Sequence, residues 1–149
     1  MNIKLVTTNI RFENDSDQQN NWPFRKFVWK DIMNNANTDF ICTQEGRQPQ
    51  LKDAEGLLNN HSNAFGDRSW IPERMYPCIF ISNKWKVIES GDRWLSETPE
   101  VPGSKSFNSM FPRLMTYTIV HSKENIKLMI VNCHLDHLHP HTRKEQTLV

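Results

Sequence analysis

Asn132-Cys133-His134-Leu135-Asp136-His137 sets an amide, an imidazole and a carboxylate directly behind the apolar run Ile126 to Val131. Such a run reads as a strand. Side chains alternate faces along an extended chain, so His134 and Asp136, two residues apart, are expected on one side of its end, where they can meet a phosphate. His134 can donate a hydrogen bond to a phosphate oxygen or stabilise charge on a departing one. Asp136 can orient His134 or a nearby backbone group. Two other strand ends carry similar groups: Asn9 closes Ile3 to Ile10, and Glu45 follows Asp39 to Thr43. An amide oxygen and a carboxylate are hard ligands of the kind magnesium requires. Arg113, behind Pro112 and entering a further strand, offers paired donors to an oxyanion. Each residue also has a plainer use: Glu45 as a helix cap, Arg113 as a solvated strand-edge residue, His134 as a structural hydrogen bonder.

Four histidines, His134, His137, His139 and His141, fall within eight residues and raise zinc as a second possibility. Spacings of two and three on an irregular segment containing Pro140 do not preorganise a tetrahedron. The last three are expected in a solvated loop.

The elements that must position these groups alternate along the chain. Ile3 to Ile10 reads as a buried strand and Asn14 to Asn21 as a polar loop. Pro23 opens a helix whose apolar stripe is Phe24, Phe27, Val28 and Ile32. Asp39 to Thr43 is the second strand, and Leu51, Ala54, Leu57 and Leu58 mark a second helix. Gly66 to Pro72 is a loop leading to a strand at Cys78 to Ser82, with Trp85 to Glu89 as its hairpin partner. Pro99 to Pro112 holds three prolines and Gly103 and is an irregular loop. Leu114 to His121 and Ile126 to His134, separated by Ser122 to Asn125, form an antiparallel hairpin.

Composition bounds the reading. The 149 residues, 37% hydrophobic, suit one domain, and a net charge of +1 gives no basic field of the kind that announces a duplex-binding protein. Cys42, Cys78 and Cys133 lie in apolar runs without Cys-x-x-Cys spacing, which argues against disulfides and zinc-thiolate sites. No stretch approaches the roughly 20 apolar residues of a membrane-spanning helix, and Met1 runs straight into strand-like sequence, so a cytoplasmic location is expected.

Thr8-Asn9-Ile10-Arg11, Trp22-Pro23-Phe24-Arg25-Lys26, Gln44-Glu45-Gly46, Trp94 to Pro99, Pro112-Arg113 and Asn132 to His137 occur in this order along the chain. In that order they resemble the endonuclease/exonuclease/phosphatase superfamily of metal-dependent phosphoester hydrolases. The resemblance implies half of a four-layer α/β sandwich, an α+β fold with one mixed, mostly antiparallel sheet and helices on one face. It implies that Asn9 and Glu45 help to hold magnesium, with manganese able to substitute, and that His134 contacts the scissile phosphate. Glu73 and Asn132 would lie beside the site. Substrates would be a phosphorylated small molecule, a lipid headgroup or a nucleic acid.

Members of that superfamily continue through Gly-Asp-x-Asn and Ser-Asp-His segments, which are not found here, and His141 to Val149 reads as an unfinished helical element. The expectation is therefore a single domain, residues 1–149, forming the amino-terminal portion of a larger one and weak or inactive alone. Two helices can cover only one sheet face, so an exposed apolar face is expected, and with it self-association or a partner. A non-catalytic phosphate- or partner-binding module using the same rim is the alternative.

Overall fold

Tyr76 to Ser82 is buried at every position, a pattern that requires cover on both faces of the strand. The computed structural model, which describes residues 2–65 and 68–149, supplies it with helices on one side and a second sheet on the other. Gly66 and Asp67 of the expected loop, and Met1, lie outside the described residues. In chain order the elements are β1 (Leu5–Asn9), a 3-10 turn (Asp15–Asn20), α1 (Trp22–Ala36), β2 (Phe40–Gly46), α2 (Gln48–Leu57), β3 (His61–Asn63), β4 (Tyr76–Ser82), β5 (Trp85–Trp94), β6 (Leu114–Ser122), β7 (Lys127–Cys133) and α3 (Pro140–Gln146).

The α+β sandwich fragment is as expected, but its strands divide between two sheets, ordered β1-β2-β4-β3 and β5-β6-β7. The β1–β2 pair is parallel, and the other pairs are antiparallel. β5 is not the hairpin partner of β4. It crosses to the second sheet and runs beside β6 from Trp85 opposite Ser122 to Trp94 opposite Leu114. Trp85 explains the departure, for its buried ring lies 5.2 Å from Phe40 and its indole N–H donates to Asp39 Oδ1 at 3.1 Å. Burying that ring between layers outweighs the local turn.

α1 turns a different face to the core than its periodicity suggests. Phe24, Phe27, Val28 and Ile32 are all more than half exposed, whereas Trp22, Trp29 and Met33 are buried. Apolar residues lie on both sides of this helix, and the two indoles bury more area than the Phe and Val pair. Arg25 and Lys26 reinforce the choice by bonding the carbonyls of Ile10 and Arg11 and the carboxylate of Asp53.

β1 is a shorter edge strand than expected and is not buried, with Leu5 and Asn9 exposed. The bare apolar face exists, but on the second sheet: Met129 and Val131 of β7 are exposed on the side away from the first sheet, at positions paired with Ile119 and Tyr117. The carboxyl-terminal element is a seven-residue helix whose end is closed by the Thr147 backbone N–H on the carbonyls of Arg143 and Lys144.

Candidate functional site

Glu45 sits where β2 leaves its partner. The register with β4 shifts between Thr43 and Gly46, and Glu45 takes φ +66°, a left-handed conformation that disfavours a residue with a side chain. Gly46 allows the chain to turn there, because a Cβ at that position would meet Leu51 Cδ2 at 2.4 Å. The carboxylate is thus turned to the end of the parallel β1–β2 pair. Asn9 at the end of β1 meets it, its amide donating to Glu45 Oε1 at 2.9 Å while its oxygen accepts the Arg11 N–H at 2.8 Å. The segment after β1 is pinned by Arg25 and by Gln50, whose amide reaches the Arg11 carbonyl at 2.9 Å.

Glu45, Glu73, Arg113, His134 and His137 line one cavity of about 530 Å³. His134 also lines a neighbouring groove of about 490 Å³ with Asn9 and Gln44, so the two hollows share this residue. Arg113 is 8% exposed; its Nη2 donates to His137 Nδ1 at 3.2 Å, and its buried Nε has no partner among the described residues. Burial pushes the guanidinium's pKa down against the pull of Asp136 and Glu45, yet an arginine stays charged in this setting. A guanidinium at a cavity wall has the donor geometry that oxyanions accept from. Burial and the Arg113 charge together lower the His134 pKa, opposed by Glu45, so the ring is neutral at neutral pH and can donate from only one nitrogen.

Asp136 and Asn132 lie outside the 530 Å³ cavity. The buried carboxylate of Asp136 accepts from Ser109 Oγ and from the backbone N–H groups of Met110, Leu138 and His139 at 2.8–3.2 Å. β7 ends at Cys133, so the alternation that would have put Asp136 beside His134 stops short of it. Asp136 therefore orders the backbone between the 95–113 loop and α3, the nearby-backbone alternative. Asn132 lies beneath the site as a bridge between sheets, donating to the Thr43 and Cys78 carbonyls at 2.8 and 2.9 Å and accepting from Gln44 at 2.8 Å. Glu73, at the rim, is exposed and pairs with Arg47 at 3.1 Å.

His137, expected in a solvated loop, is exposed there but also lines the cavity, its ring stacked on Phe111 with centroids 6.1 Å apart, while sequence patterns missed Phe12, held between Arg11 and Arg47 at 4.5 and 4.8 Å. No spacing rule marks an aromatic on an irregular loop. The four clustered histidines diverge, with His141 3.8 Å from Glu145, and among the described residues no three His, Cys, Asp or Glu side chains are grouped to hold a metal ion.

Comparison with solved structures decides the architecture. An endonuclease/exonuclease/phosphatase protein from Bacteroides vulgatus superposes with a TM-score of 0.91 at 26% identity over 98% of this chain and 57% of that one. The chain has the fold of the endonuclease/exonuclease/phosphatase superfamily. A mannosyl-6-phosphatase from Bacteroides thetaiotaomicron matches at 28% identity and TM-score 0.86, over 99% of this chain and 57% of that one. Truncated TDP2 from Caenorhabditis elegans, at 17% identity and TM-score 0.68 over 93% of this chain and 48% of that one, shares the fold. The chain spans a little over half the length of the two Bacteroides proteins. No protein-family model and no curated protein sequence matches it.

Proposed function

We propose that the chain forms the amino-terminal portion of a magnesium-dependent phosphoester hydrolase and contributes the metal-binding rim and the phosphate pocket of its site. The observation that carries this reading is the 2.9 Å contact of Asn9 with Glu45 beside the cavity that holds Arg113 and His134. The donor set fits the ion once the Asn9 amide turns over, since in the free chain its NH2 group faces Glu45 and its oxygen accepts the Arg11 N–H: one carboxylate and one amide oxygen are hard ligands, and magnesium keeps several waters and takes only one or two carboxylates from a protein. Asn9 and Glu45 would hold it, with manganese as a substitute, and when bound it would polarise the phosphoryl group and offset growing negative charge.

Arg113 binds a non-bridging phosphate oxygen through the guanidinium that lines the cavity and holds the ester against the cavity wall. His134 donates its single N–H to the phosphate or to the leaving oxygen. His137, with Nδ1 engaged by Arg113, orients that guanidinium. The base that takes the proton of the attacking water is not among these residues and would come from the remainder of the domain, so this chain alone is expected to be weak or inactive.

A phosphorylated small molecule suits a concave cavity of about 530 Å³ and a chain of net charge +1 better than a nucleic acid or a lipid headgroup. The similarity to a mannosyl-6-phosphatase supports that choice. No helix among the described residues is long and apolar enough to cross a membrane, and a cytoplasmic location remains part of the proposal.

Manganese titration of isotopically labelled protein tests the metal rim. Paramagnetic broadening should appear first at Asn9 and Glu45 and vanish in Glu45→Gln; undiminished broadening in that variant would remove Glu45 from the site. In the longer protein, magnesium-dependent hydrolysis should be lost in Glu45→Ala.

The second reading, a non-catalytic module that binds phosphate or a partner chain, is favoured by the exposed Met129 and Val131 on the bare sheet face. Val131→Lys would then abolish self-association seen by sedimentation.

A further inference from the structure

Phe12, Arg47, Glu73 and Arg74 line the proposed phosphoester cavity and also line a further hollow of about 690 Å³, so the two share one wall. Of these two hollows His134 and Arg113 line only the first. An ester held by them has room for its organic part over the shared wall. Arg74 reaches that wall from the other sheet. Thr116 Oγ1 of β6 donates to the Pro77 carbonyl of β4 at 3.3 Å, and both strands begin at the rim where β2 and β7 end. Arg113 and Arg74 each lie three residues before that contact, so they come to the rim from opposite sheets, whose backbones pack roughly 10 Å apart.

Two donors on this path are open to a ligand. Arg74 is half-buried, and among the described residues its guanidinium neither bonds a partner nor is sealed from solvent. The indole N–H of half-buried Trp70, inside the further hollow, is likewise open and unbonded among them. A phosphate gripped by Arg113 leaves both donors over.

The charge of the lining changes sign along the path. In the first hollow Arg11, Arg47, Arg74 and Arg113 face Glu45 and Glu73. In the further one Arg47 and Arg74 face Glu13, Asp15 and Glu73, and Arg47 is already paired with Glu73 at 3.1 Å. A second anionic group would therefore enter where carboxylates prevail, and a cationic group would first pass Arg74. A hydroxyl suits both ends, since it accepts from Arg74 and Trp70 and donates to Glu13 and Asp15. An aromatic base finds the rings engaged, Phe12 by the Arg47 guanidinium at 4.8 Å and Trp70 by that of Arg68 at 5.2 Å. We infer that this hollow is the leaving-group subsite of the phosphoester site, and that through Arg74 and Trp70 it selects a neutral, hydroxylated group of about monosaccharide size. The inference rests on the phosphoester reading of the first cavity.

The test is NMR titration of the isotopically labelled chain, with magnesium present, against inorganic phosphate, glucose-6-phosphate, fructose-1,6-bisphosphate and adenosine monophosphate. Inorganic phosphate should shift the His134 ring alone. Glucose-6-phosphate should shift it together with the Trp70 indole N–H and the Arg74 Nε–H, and should bind roughly tenfold more tightly. Arg74→Ala should erase that preference, and Trp70→Phe, which keeps an aromatic ring and deletes the N–H, should reduce it by about threefold. If His134 responds to both ligands while Trp70 and Arg74 stay silent, the subsite is refuted and the phosphoester reading stands. If His134 responds to neither, that reading fails and the inference with it. Tighter binding of the bisphosphate or of adenosine monophosphate than of glucose-6-phosphate, with the gain lost in Arg74→Ala, overturns the neutral, hydroxylated class.

Discussion

Asn132 of β7 accepts a 2.8 Å hydrogen bond from Gln44 of β2, and this contact crosses from one sheet to the other immediately behind the Asn9–Glu45 pair. The same side chain closes on the carbonyls of Thr43 and Cys78, so a single buried amide sets the distance between the rim that carries Glu45 and the strand that leads to His134. Asn132→Ala removes the donor from two buried carbonyls, those of Thr43 and Cys78, and an acceptor from half-buried Gln44, whose amide keeps Thr7 Oγ1 at 3.1 Å. It is expected to cost about 2–4 kcal/mol, a fall in melting temperature on the order of 10 °C, measured by thermal unfolding.

Gly46 is the second structural control on the site. In Gly46→Ala the new methyl would overlap the side chain of Leu51, itself buried on the inner face of α2, so either the helix or the bulge must move. A destabilisation of about 1–3 kcal/mol is expected. Because Glu45 precedes this residue, manganese broadening at Asn9 should weaken too, whereas a remote variant of equal stability should leave it unchanged.

His134 should titrate below the ordinary histidine value of 6.5, because burial and the Arg113 charge both disfavour its protonated form. With the folded value depressed, the unfolded chain binds the extra proton more readily. The associated stability is therefore fully present above the unfolded pKa and declines as pH falls through 6.5 towards the folded value. Arg113→Gln should move the midpoint upward, read from the His134 ring resonances against pH. An unshifted midpoint would separate the two side chains electrostatically.

Asp136 behaves with the opposite chemistry and the same sign of pH dependence. Burial acts to raise its pKa, but hydrogen bonds from the backbone of His139, Leu138 and Met110 and from Ser109 outweigh it and hold the carboxyl well below its ordinary 3.8. Its stabilisation is present above that value and is lost as pH falls from about 4 towards the folded value. In Asp136→Asn the acid limb of the stability curve should flatten while stability at neutral pH drops. An acid limb identical to that of the parent protein would show that other carboxylates control it.

The sequence by itself determined the groups at the strand ends. Asn9, Glu45 and His134 each follow an apolar run, and a strand delivers whatever follows it to one rim of a sheet. The β6–β7 hairpin and the existence of both long helices were legible for the same local reason, the short-range period of apolar residues and the turn at Ser122 to Asn125. Tertiary structure alone decided which sheet takes β5, which face of α1 is buried and which way Asp136 turns. Those choices depend on partners distant along the chain: Phe40 and Asp39 for Trp85, Phe80 for Trp29, and Ser109 for Asp136. Periodicity states that a face is apolar. It cannot state which of two apolar faces finds the larger buried area, or which carboxylate finds four donors before it reaches the solvent.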